Sequence, residues 1–229
     1  MKKIAIIPAR GGSKRIPRKN IRDFFGRPII SYSIDAALRT CIFDEVMVST
    51  DDYEIAEIAK QYGASVPFYR SEEMSSDIAG TVPTLLEVIK EYDKQGIAFE
   101  QVCCLYPCAP FVTSERLSEA MNLLNNSDID CVLPVVKFSY PPQRCLLIRG
   151  NKICMQYPEY LHSRSQDLEP LYHDAGQFYC IKTNVLLAQE RLFCENTIPI
   201  ILSESEVQDI DTEEDWIMAE VKYRILTNK

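Results

Sequence analysis

Lys3 to Asn20 reads KIAIIPARGGSKRIPRKN, and this stretch decides the fold. Its first part, Ile4 to Ile7, is a short apolar run typical of a strand buried on both faces. Two glycines head the loop that follows, and glycine lets the backbone come close to a ligand. Successive backbone N–H groups in such a turn bind anions, and the Arg and Lys side chains of the loop add full positive charges. A buried strand that opens into such a loop predicts a polyphosphate site. The five cations of the loop are Arg10, Lys14, Arg15, Arg18 and Lys19.

A solvated basic loop after an edge strand is the plainer interpretation of the same residues. Two other nucleotide motifs are excluded by their spacing. A P-loop requires the order Gly-x-x-x-x-Gly-Lys-Ser/Thr, which Gly12-Ser13-Lys14 does not follow, and the dinucleotide motif Gly-x-Gly-x-x-Gly is absent from the chain. The loop therefore predicts phosphate binding of another kind.

Composition narrows the class of protein. The chain has 229 residues, enough for one large or two small domains with a sizeable core. Its net charge of −8 argues against a nucleic-acid partner, because nucleic-acid binding favours a basic face. The cations of the loop are therefore a local feature of an acidic protein.

Nine cysteines without a Cys-x-x-Cys pair predict free thiols rather than a zinc site. Free thiols indicate a reducing compartment, so we expect a cytoplasmic protein. The first apolar run ends at Pro8, too soon for a signal peptide, and no run approaches the ~20 apolar residues of a membrane span. We therefore expect no membrane association.

Apolar runs and amphipathic segments alternate along the chain. This alternation predicts an α/β fold with a mainly parallel sheet and helices on both faces. The predicted strands after the first are Glu45–Thr50, Val66–Phe68, Val102–Tyr106, Cys131–Val136, Gln177–Ile181 and Ile198–Leu202. The predicted helices include Ile29–Arg39, Thr84–Tyr92, Ser114–Leu124, Lys182–Gln189 and Glu213–Leu226.

The alternation breaks near Lys137. Two apolar runs, Cys145–Ile148 and Ile153–Met155, flank a Gly-Asn pair and predict a β-hairpin. We interpret residues 140–175 as a small inserted lobe. The α/β domain is then formed by residues 1–139 and 176–229.

A second charged motif lies near the C-terminus. Asp209 and Asp211 stand at positions i and i+2, which in an extended segment puts both carboxylates on one face, ~6.5–7 Å apart along the chain. Such a pair is unfavourable unless a cation lies between its members, and Mg²⁺ suits one or two carboxylates together with phosphate oxygens. Alternatively, Asp211 caps the last helix, with Thr212 to Asp215 as a capping box. The residues alone leave both interpretations open.

Ala9 to Asn20 resembles the signature of the acylneuraminate cytidylyltransferases, enzymes that activate nine-carbon sugar acids with CTP. The resemblance implies a Rossmann-like nucleotidyltransferase fold in which this loop holds the CTP phosphates. Asp209 to Thr212 resembles the family's Asp-Ile-Asp-Thr motif, which implies that Asp209 and Asp211 bind the metal. On this basis the residues expected to be catalytic are Arg10, Lys14, Lys19 and Asp211.

The resemblance extends the nucleotide site beyond the loop. Arg70 to Asp77 resembles the family's Arg-Pro-x-x-Leu-x-x-Asp element, with Ser71 in place of its proline. In the family this arginine lies at the nucleotide. The residues expected to bind CTP are Ala9, Arg10, Gly12, Ser13, Lys14, Asn20, Arg70 and Asp77.

The sugar side departs from the sialate-activating members of the family. Tyr106 stands where they have a sugar-contacting Gln, and Val112 where they usually have Arg. Tyr140–Arg144, Arg164–Leu168 and His173–Tyr179 resemble the branch that activates pseudaminic acid. Taken alone, His173 is more typical of a satisfied core or surface residue. The residues expected to contact the sugar are Tyr106, Gln166, His173 and Gln177.

The resemblance covers nearly the whole chain and implies an enzyme. We expect it to transfer CMP from CTP to the anomeric hydroxyl of a nonulosonic acid, most closely pseudaminic acid, with Mg²⁺ as the metal and release of pyrophosphate. The inserted lobe is expected to mediate a homodimer. Alternative sugars are N-acetylneuraminic, legionaminic and 3-deoxy-manno-octulosonic acid. A nucleotide-binding regulator without turnover is the alternative from another class.

Overall fold

The computed structural model of the chain describes residues 1–75 and 80–227. Its strands are, in chain order, β1 Lys3–Pro8, β2 Asp23–Phe24, β3 Arg27–Pro28, β4 Glu45–Ser49, β5 Gln101–Leu105, β6 Cys131–Lys137, β7 Leu146–Arg149, β8 Lys152–Met155, β9 Tyr172–Asp174, β10 Phe178–Lys182 and β11 Thr197–Leu202. Its helices are α1 Ile30–Arg39, α2 Tyr53–Gln61, α3 Glu72–Ser75, α4 Thr81–Lys94, α5 Ser114–Leu123, α6 Thr183–Gln189 and α7 Glu213–Thr227.

Within the described residues the central sheet has seven strands, in the order β11-β6-β10-β5-β1-β4, with β9 attached to β6. β1 is parallel to β4 and β5, and β6 is parallel to β11. β10 is antiparallel to both β5 and β6, and β9 is antiparallel to β6. The predicted mainly parallel α/β fold is confirmed, with two antiparallel strands that the sequence pattern does not predict.

β1 lies inside this sheet with both of its faces covered. Ile4 and Ile6 pack into the apolar cluster that includes residues of α4, whereas Ala5 and Ile7 pack into the cluster that includes residues of α1 and α2. All four side chains are fully buried. The prediction of a strand buried on both faces is confirmed. The cationic loop follows the carboxyl end of β1, and open α/β proteins bind ligands at the carboxyl ends of their strands.

A third apolar cluster connects the cationic loop with the C-terminal helix. Its centre is Phe24 of β2, whose ring contacts Tyr32, Trp216 and Tyr223 edge-on at centroid distances of 5.5, 5.6 and 5.3 Å. Such aromatic pairs add ~0.5–1.5 kcal/mol each beyond the area they bury. The buried members of this cluster are Ile16, Phe24, Ile29, Tyr32, Phe111, Ile210, Trp216 and Ala219.

The predicted strand Val66–Phe68 is wrong. The structure has only an isolated bridge at this point, between Met47 and Ser65, made by Ser65 N–H and C=O with the backbone of β4. Pro67 has no N–H, so the chain cannot continue a ladder along β4. The following residues leave the sheet and lead to α3.

The predicted hairpin is confirmed as β7 and β8, with Ile148 opposite Ile153. β9, at the end of the predicted lobe, pairs with β6 of the central sheet. The division of the chain into an α/β domain and a lobe stays a prediction.

All nine cysteines lie in the described residues and are free thiols. Within residues 1–75 and 80–227, none of the helices has the length and apolar character needed to cross a membrane.

Candidate active site

A cleft of about 590 Å³ opens at the carboxyl ends of β1 and β5. Its wall combines basic side chains from the loop after β1 with acidic side chains from the segment before α7. The residues that line it are Pro8, Arg10, Ser13, Lys14, Arg15, Lys19, Asn20, Tyr106, Pro107, Cys108, Gly176, Asp209, Ile210 and Asp211.

The inner side of the loop is fixed by Asn20, which is only 6% exposed. Its Nδ2 donates to the carbonyl oxygen of Arg10 at 2.9 Å, and its Oδ1 accepts from the thiol of Cys108 at 3.3 Å. Burial raises the pKa of Cys108 to about 12, so this thiol keeps its proton at neutral pH and remains a donor. Asn20 therefore uses both ends of its amide to hold the loop against the residues after β5.

The outer side of the loop is fixed by the start of α2. Gly11 N–H donates to Asp51 Oδ1 at 2.9 Å, and Asp52 caps α2 by accepting from Ile55 N–H at 3.0 Å. A Cβ on Gly11 would lie 2.7 Å from Asp52 Oδ2, so only glycine fits there without a shift. The close packing brings the loop backbone directly onto this helix end.

Arg18 completes the outer anchor. It has left-handed backbone geometry with φ of 56°, and its guanidinium pairs with both oxygens of Asp52 and with Glu54. The Arg18 hydrogen bond lowers the pKa of Asp52, and burial opposes it. Arg18 therefore holds the loop against the start of α2 and does not line the cleft. The cations among the cleft's lining residues are Arg10, Lys14, Arg15 and Lys19.

The acidic wall of the cleft is held by the loop itself. Asp211 Oδ1 lies 2.8 Å from Arg15 Nη2 and 3.4 Å from Lys19 Nζ. Lys19 Nζ also donates to the carbonyl oxygen of Ile210 at 2.6 Å. Because Ile16 and Ile210 belong to the same apolar cluster, the two walls are fixed relative to each other.

The cap of α7 is Thr212 rather than Asp211. The carbonyl oxygen of Thr212 accepts from Trp216 N–H at 3.1 Å, and its hydroxyl accepts from Asp215 N–H at 3.3 Å. Asp215 Oδ2 in return accepts from Thr212 N–H at 2.8 Å. The reciprocal pair is the predicted capping box. It leaves the side chain of Asp211 to the cleft, which favours the alternative that Asp211 serves a ligand.

Asp209 and Asp211 have the chemistry of a divalent-metal site. Burial, and then the charge of Asp211, raise the pKa of Asp209. A divalent cation relieves both effects, and carboxylate oxygens are the ligands that Mg²⁺ prefers. The described residues contain no group of three or more His, Cys, Asp or Glu side chains arranged for a metal. Two carboxylates nevertheless fit Mg²⁺, which commonly takes phosphate oxygens and water for its remaining ligands.

The other residues expected at the nucleotide have mixed surroundings. Ser13 lines the cleft, but its N–H donates to the carbonyl oxygen of Gly11 at 3.0 Å. Ala9 and Arg70 both donate to the carbonyl oxygen of Ser49, at 2.9 and 2.8 Å, so they brace the ends of β1 and β4. Gly12 is exposed on the loop. Asp77 lies outside the described residues.

Burial lowers the pKa of Arg70, because its guanidinium is largely removed from water. The charge of Arg10 lowers this pKa further, whereas the charge of Asp51 raises it. Arg70 therefore lies within electrostatic range of the loop even though it is not among the cleft's lining residues. Its hydrogen bonds go to Ser49 Oγ and to the carbonyl oxygen of Ser49, at the end of β4.

A second cavity of about 310 Å³ adjoins the cleft and shares Gly176 and Asp209 with it. His173 lines this cavity, with its ring 4.7 Å from that of Phe138 and Nδ1 2.9 Å from the carbonyl oxygen of Asp174. Lys137 and Ser139 also line it. The second cavity therefore offers cationic, hydroxyl and aromatic groups next to the acidic pair, and Asp174 and Glu204 also line it.

The four residues expected at the sugar are only partly brought together. Tyr106 lines the main cleft, with its hydroxyl 3.0 Å from Thr81 Oγ1, and His173 lines the adjoining cavity. Gln177 is 3% exposed and donates to the carbonyl oxygen of Glu206 at 2.6 Å, so it supports the acidic segment. Gln166 is exposed in a short 3-10 helix of the predicted lobe and is not among the lining residues of either cavity.

Two lining residues with polar side chains, Arg15 and Cys108, are not among the residues that the sequence assigns to the site. In the sequence Arg15 is one of five cations in the loop, and nothing there distinguishes it from Arg18. In the structure Arg18 instead pairs with Asp52 and Glu54 at the start of α2. Cys108 belongs to no motif, and its apolar neighbours in the sequence predict only a free thiol. Its role follows from the contact with Asn20, which is 88 positions away along the chain.

The chain has close relatives among known proteins. A family model described as cytidylyltransferase matches residues 4–195. The chain is 41% identical over 226 residues to a pseudaminic acid cytidylyltransferase of Campylobacter jejuni subsp. jejuni, covering 98% of this chain and 97% of that protein. It is 35% identical over 231 residues to a CMP-N,N'-diacetyllegionaminic acid synthase of Legionella pneumophila, covering 96% and 95%. A solved CMP:2-keto-3-deoxy-manno-octonic acid synthetase complexed with CTP shares the fold, with a TM-score of 0.73 and 16% identity over 100% of both chains.

The outer anchor of the loop predicts a pH-dependent stability. Asp52→Asn should lower the free energy of unfolding by about 1 kcal/mol at neutral pH, because the charge paired with Arg18 is lost while Asn still caps α2. The folded pKa of Asp52 is lowered, so this stabilisation is complete above its unfolded pKa, about 3.9, and is lost as pH falls through the folded value. Urea unfolding of parent and variant from neutral to acid pH measures the difference.

Glu57→Gln serves as the matched control, because it breaks an exposed pair with Lys60 and should have little effect at any pH. A difference between Asp52→Asn and the parent that grows toward acid pH, or that equals the control's at neutral pH, would contradict the anchor.

Proposed function

Because the chain belongs to the cytidylyltransferase family, we propose that it transfers CMP from CTP to the anomeric hydroxyl of a nonulosonic acid, pseudaminic acid, and releases pyrophosphate. One observation carries the proposal: the cleft is lined by four of the five cations of the loop together with Asp209 and Asp211. The cations suit a triphosphate, and the carboxylates suit its divalent counter-ion. A regulator without turnover has no need of the acidic pair.

Phosphoryl transfer depends mainly on positioning and on neutralising charge. Arg10 and Lys14 would hold the triphosphate, and Lys19 would act where the basic and acidic walls meet, since it is fixed by Ile210 O. Asp209 and Asp211 would hold Mg²⁺, which neutralises charge on the attacked phosphate and on the leaving pyrophosphate when bound. Asn20 fixes the loop backbone so that these charges keep their places.

The adjoining cavity is the proposed site of the sugar acid. It opens beside Asp209 and carries Lys137, Ser139 and His173, groups that suit an anionic acceptor rich in hydroxyl groups. Tyr106 lies on the cleft side of the same region. A tyrosine offers one hydroxyl and a large ring where sialate-activating members offer an amide, so the hydrogen-bond pattern presented to the sugar differs.

The choice of sugar is the test of this function. Purified protein with saturating CTP and Mg²⁺ should release pyrophosphate with pseudaminic acid, at a kcat/KM roughly 100-fold above that for N-acetylneuraminic acid, because unpaired polar groups in a site are costly. Legionaminic and 3-deoxy-manno-octulosonic acid complete the comparison. A preference for one of the other sugars would refute the choice of sugar and leave CMP transfer standing. Absence of pyrophosphate with all four would refute CMP transfer to these acids.

The metal role of Asp211 can be separated from helix stability. Asp211→Asn should lower kcat/KM by about 100-fold or more, since losing even the groups that orient metal ligands costs 10–100-fold. Its midpoint of urea unfolding should stay close to the parent's, because Thr212 caps α7.

Thr212→Ala is the matched control and should do the reverse, costing ~1 kcal/mol of stability while keeping most of the activity. If Asp211→Asn turns over normally with the parent's Mg²⁺ requirement, the assignment of Asp211 as a metal ligand is wrong.

We also propose that the chain forms a homodimer through the hairpin of β7 and β8. Ile148 and Ile153 lie opposite each other on it and are 76% and 67% exposed. Large apolar side chains exposed together mark interaction surfaces. Ile148→Asp should convert a dimer to a monomer in sedimentation velocity. Ile225→Asp, an equally exposed site on α7, should leave it dimeric, and a monomeric parent would contradict the proposal.

The free thiols support a reducing compartment, and we propose the cytoplasm. Recovery of the native protein in the membrane or extracellular fraction of its cells would refute this location.

A further inference from the structure

Arg15 and Lys19 both form ion pairs with Asp211, and Arg15 is the more exposed of the two cations. Its side chain is 66% exposed, and its Nη2 lies 2.8 Å from Asp211 Oδ1. Lys19 Nζ lies 3.4 Å from the same oxygen, but its side chain is 22% exposed and is fixed by a 2.6 Å bond to Ile210 O. One oxygen of Asp211 is therefore shared by a fixed cation and a movable one.

This arrangement weakens the binding of a divalent ion to Asp211. With two cationic groups beside it, the Asp211 carboxylate is already neutralised, and a metal ion that approaches it meets like charges. Lys19 cannot leave without breaking its bond to Ile210 O. Arg15 can leave, because an exposed ion pair is worth little.

The same cleft offers Arg15 another partner once nucleotide enters. Arg15 is among the cleft's lining residues together with Arg10 and Lys14, which we assign to the triphosphate. A guanidinium binds phosphate oxygens through two parallel hydrogen bonds and gains more there than from one carboxylate oxygen. A triphosphate therefore competes with Asp211 for Arg15.

We propose that Arg15 is an electrostatic latch: it occupies Asp211 in the protein without ligands and turns to the triphosphate when nucleotide binds. The latch disfavours binding of a divalent ion by itself and releases Asp211 when CTP arrives. Metal ion and nucleotide then enter together or in the order nucleotide, metal. This inference rests on the proposed function, since it assumes that the cleft holds a nucleoside triphosphate and that Asp211 binds the metal.

The latch predicts opposite effects of one substitution on two ligands. Arg15→Gln should bind Mn²⁺ alone roughly 2- to 5-fold more tightly than the parent, the range that an exposed ion pair supports. It should bind CTP alone, with the metal chelated, about 10-fold more weakly, because a charge-assisted phosphate contact is lost. Electron paramagnetic resonance of free Mn²⁺ and calorimetric titration of CTP measure the two affinities.

Arg18→Gln is the matched control, since it removes the same charge from the same loop but from a side chain paired with Asp52 and Glu54. It should leave the Mn²⁺ affinity at the parent's value. A purely structural role for Arg15 would weaken both ligands, and a general charge effect would tighten Mn²⁺ binding equally in both variants. Either result overturns the latch, as does an unchanged Mn²⁺ affinity in Arg15→Gln. Turnover by the parent is scored separately, so failure of the latch and failure of CMP transfer are distinguishable.

Discussion

The site depends on the burial of two isoleucines in one aromatic cluster. Ile16 projects from the cationic loop and Ile210 from between the two aspartates, and both pack into the cluster around Phe24 and Trp216. Burying such a side chain contributes ~1.5–3 kcal/mol, which is more than the exposed ion pairs of the cleft provide. Packing therefore sets the distance between the basic and acidic walls, and the charges between them are left to respond to ligands.

Apolar packing that sets the geometry, with charges that respond to ligands, suits an acidic protein that binds a polyanion. The chain carries a net charge of −8, yet its main cleft concentrates basic side chains on one wall. Low-dielectric walls focus such a local field, so the overall charge of the chain does not decide what enters. A chelate of a triphosphate with a divalent cation carries both signs, and so does the cleft. The proposed Mg²⁺ complex of CTP would match both walls of the cleft.

The sequence predicts local features well and tertiary ones poorly. The apolar run of β1, the loop and the acidic pair are contiguous in the chain, so their patterns identify them. Strand direction has no such pattern, because β10 reads as a buried apolar run whichever way it pairs. Val66–Phe68 has a strand's composition, but Pro67 removes the donor that a ladder needs. Contacts such as Cys108 with Asn20, or Arg18 with Asp52, depend on which way a side chain turns after the chain has folded.

β10 lies in the middle of the sheet although it comes late in the chain. In the described part of the protein it is the strand that joins β5 to β6, since it pairs with both. A nascent chain that ends before Phe178 therefore holds β4-β1-β5 and β6 as separate pieces with no ladder between them. The loop after β1 is made early, and the acidic segment between β11 and α7 is made only after β10. The two walls of the cleft can therefore meet only after β10 and β11 have been made, and an earlier nascent chain carries the basic wall without the acidic one.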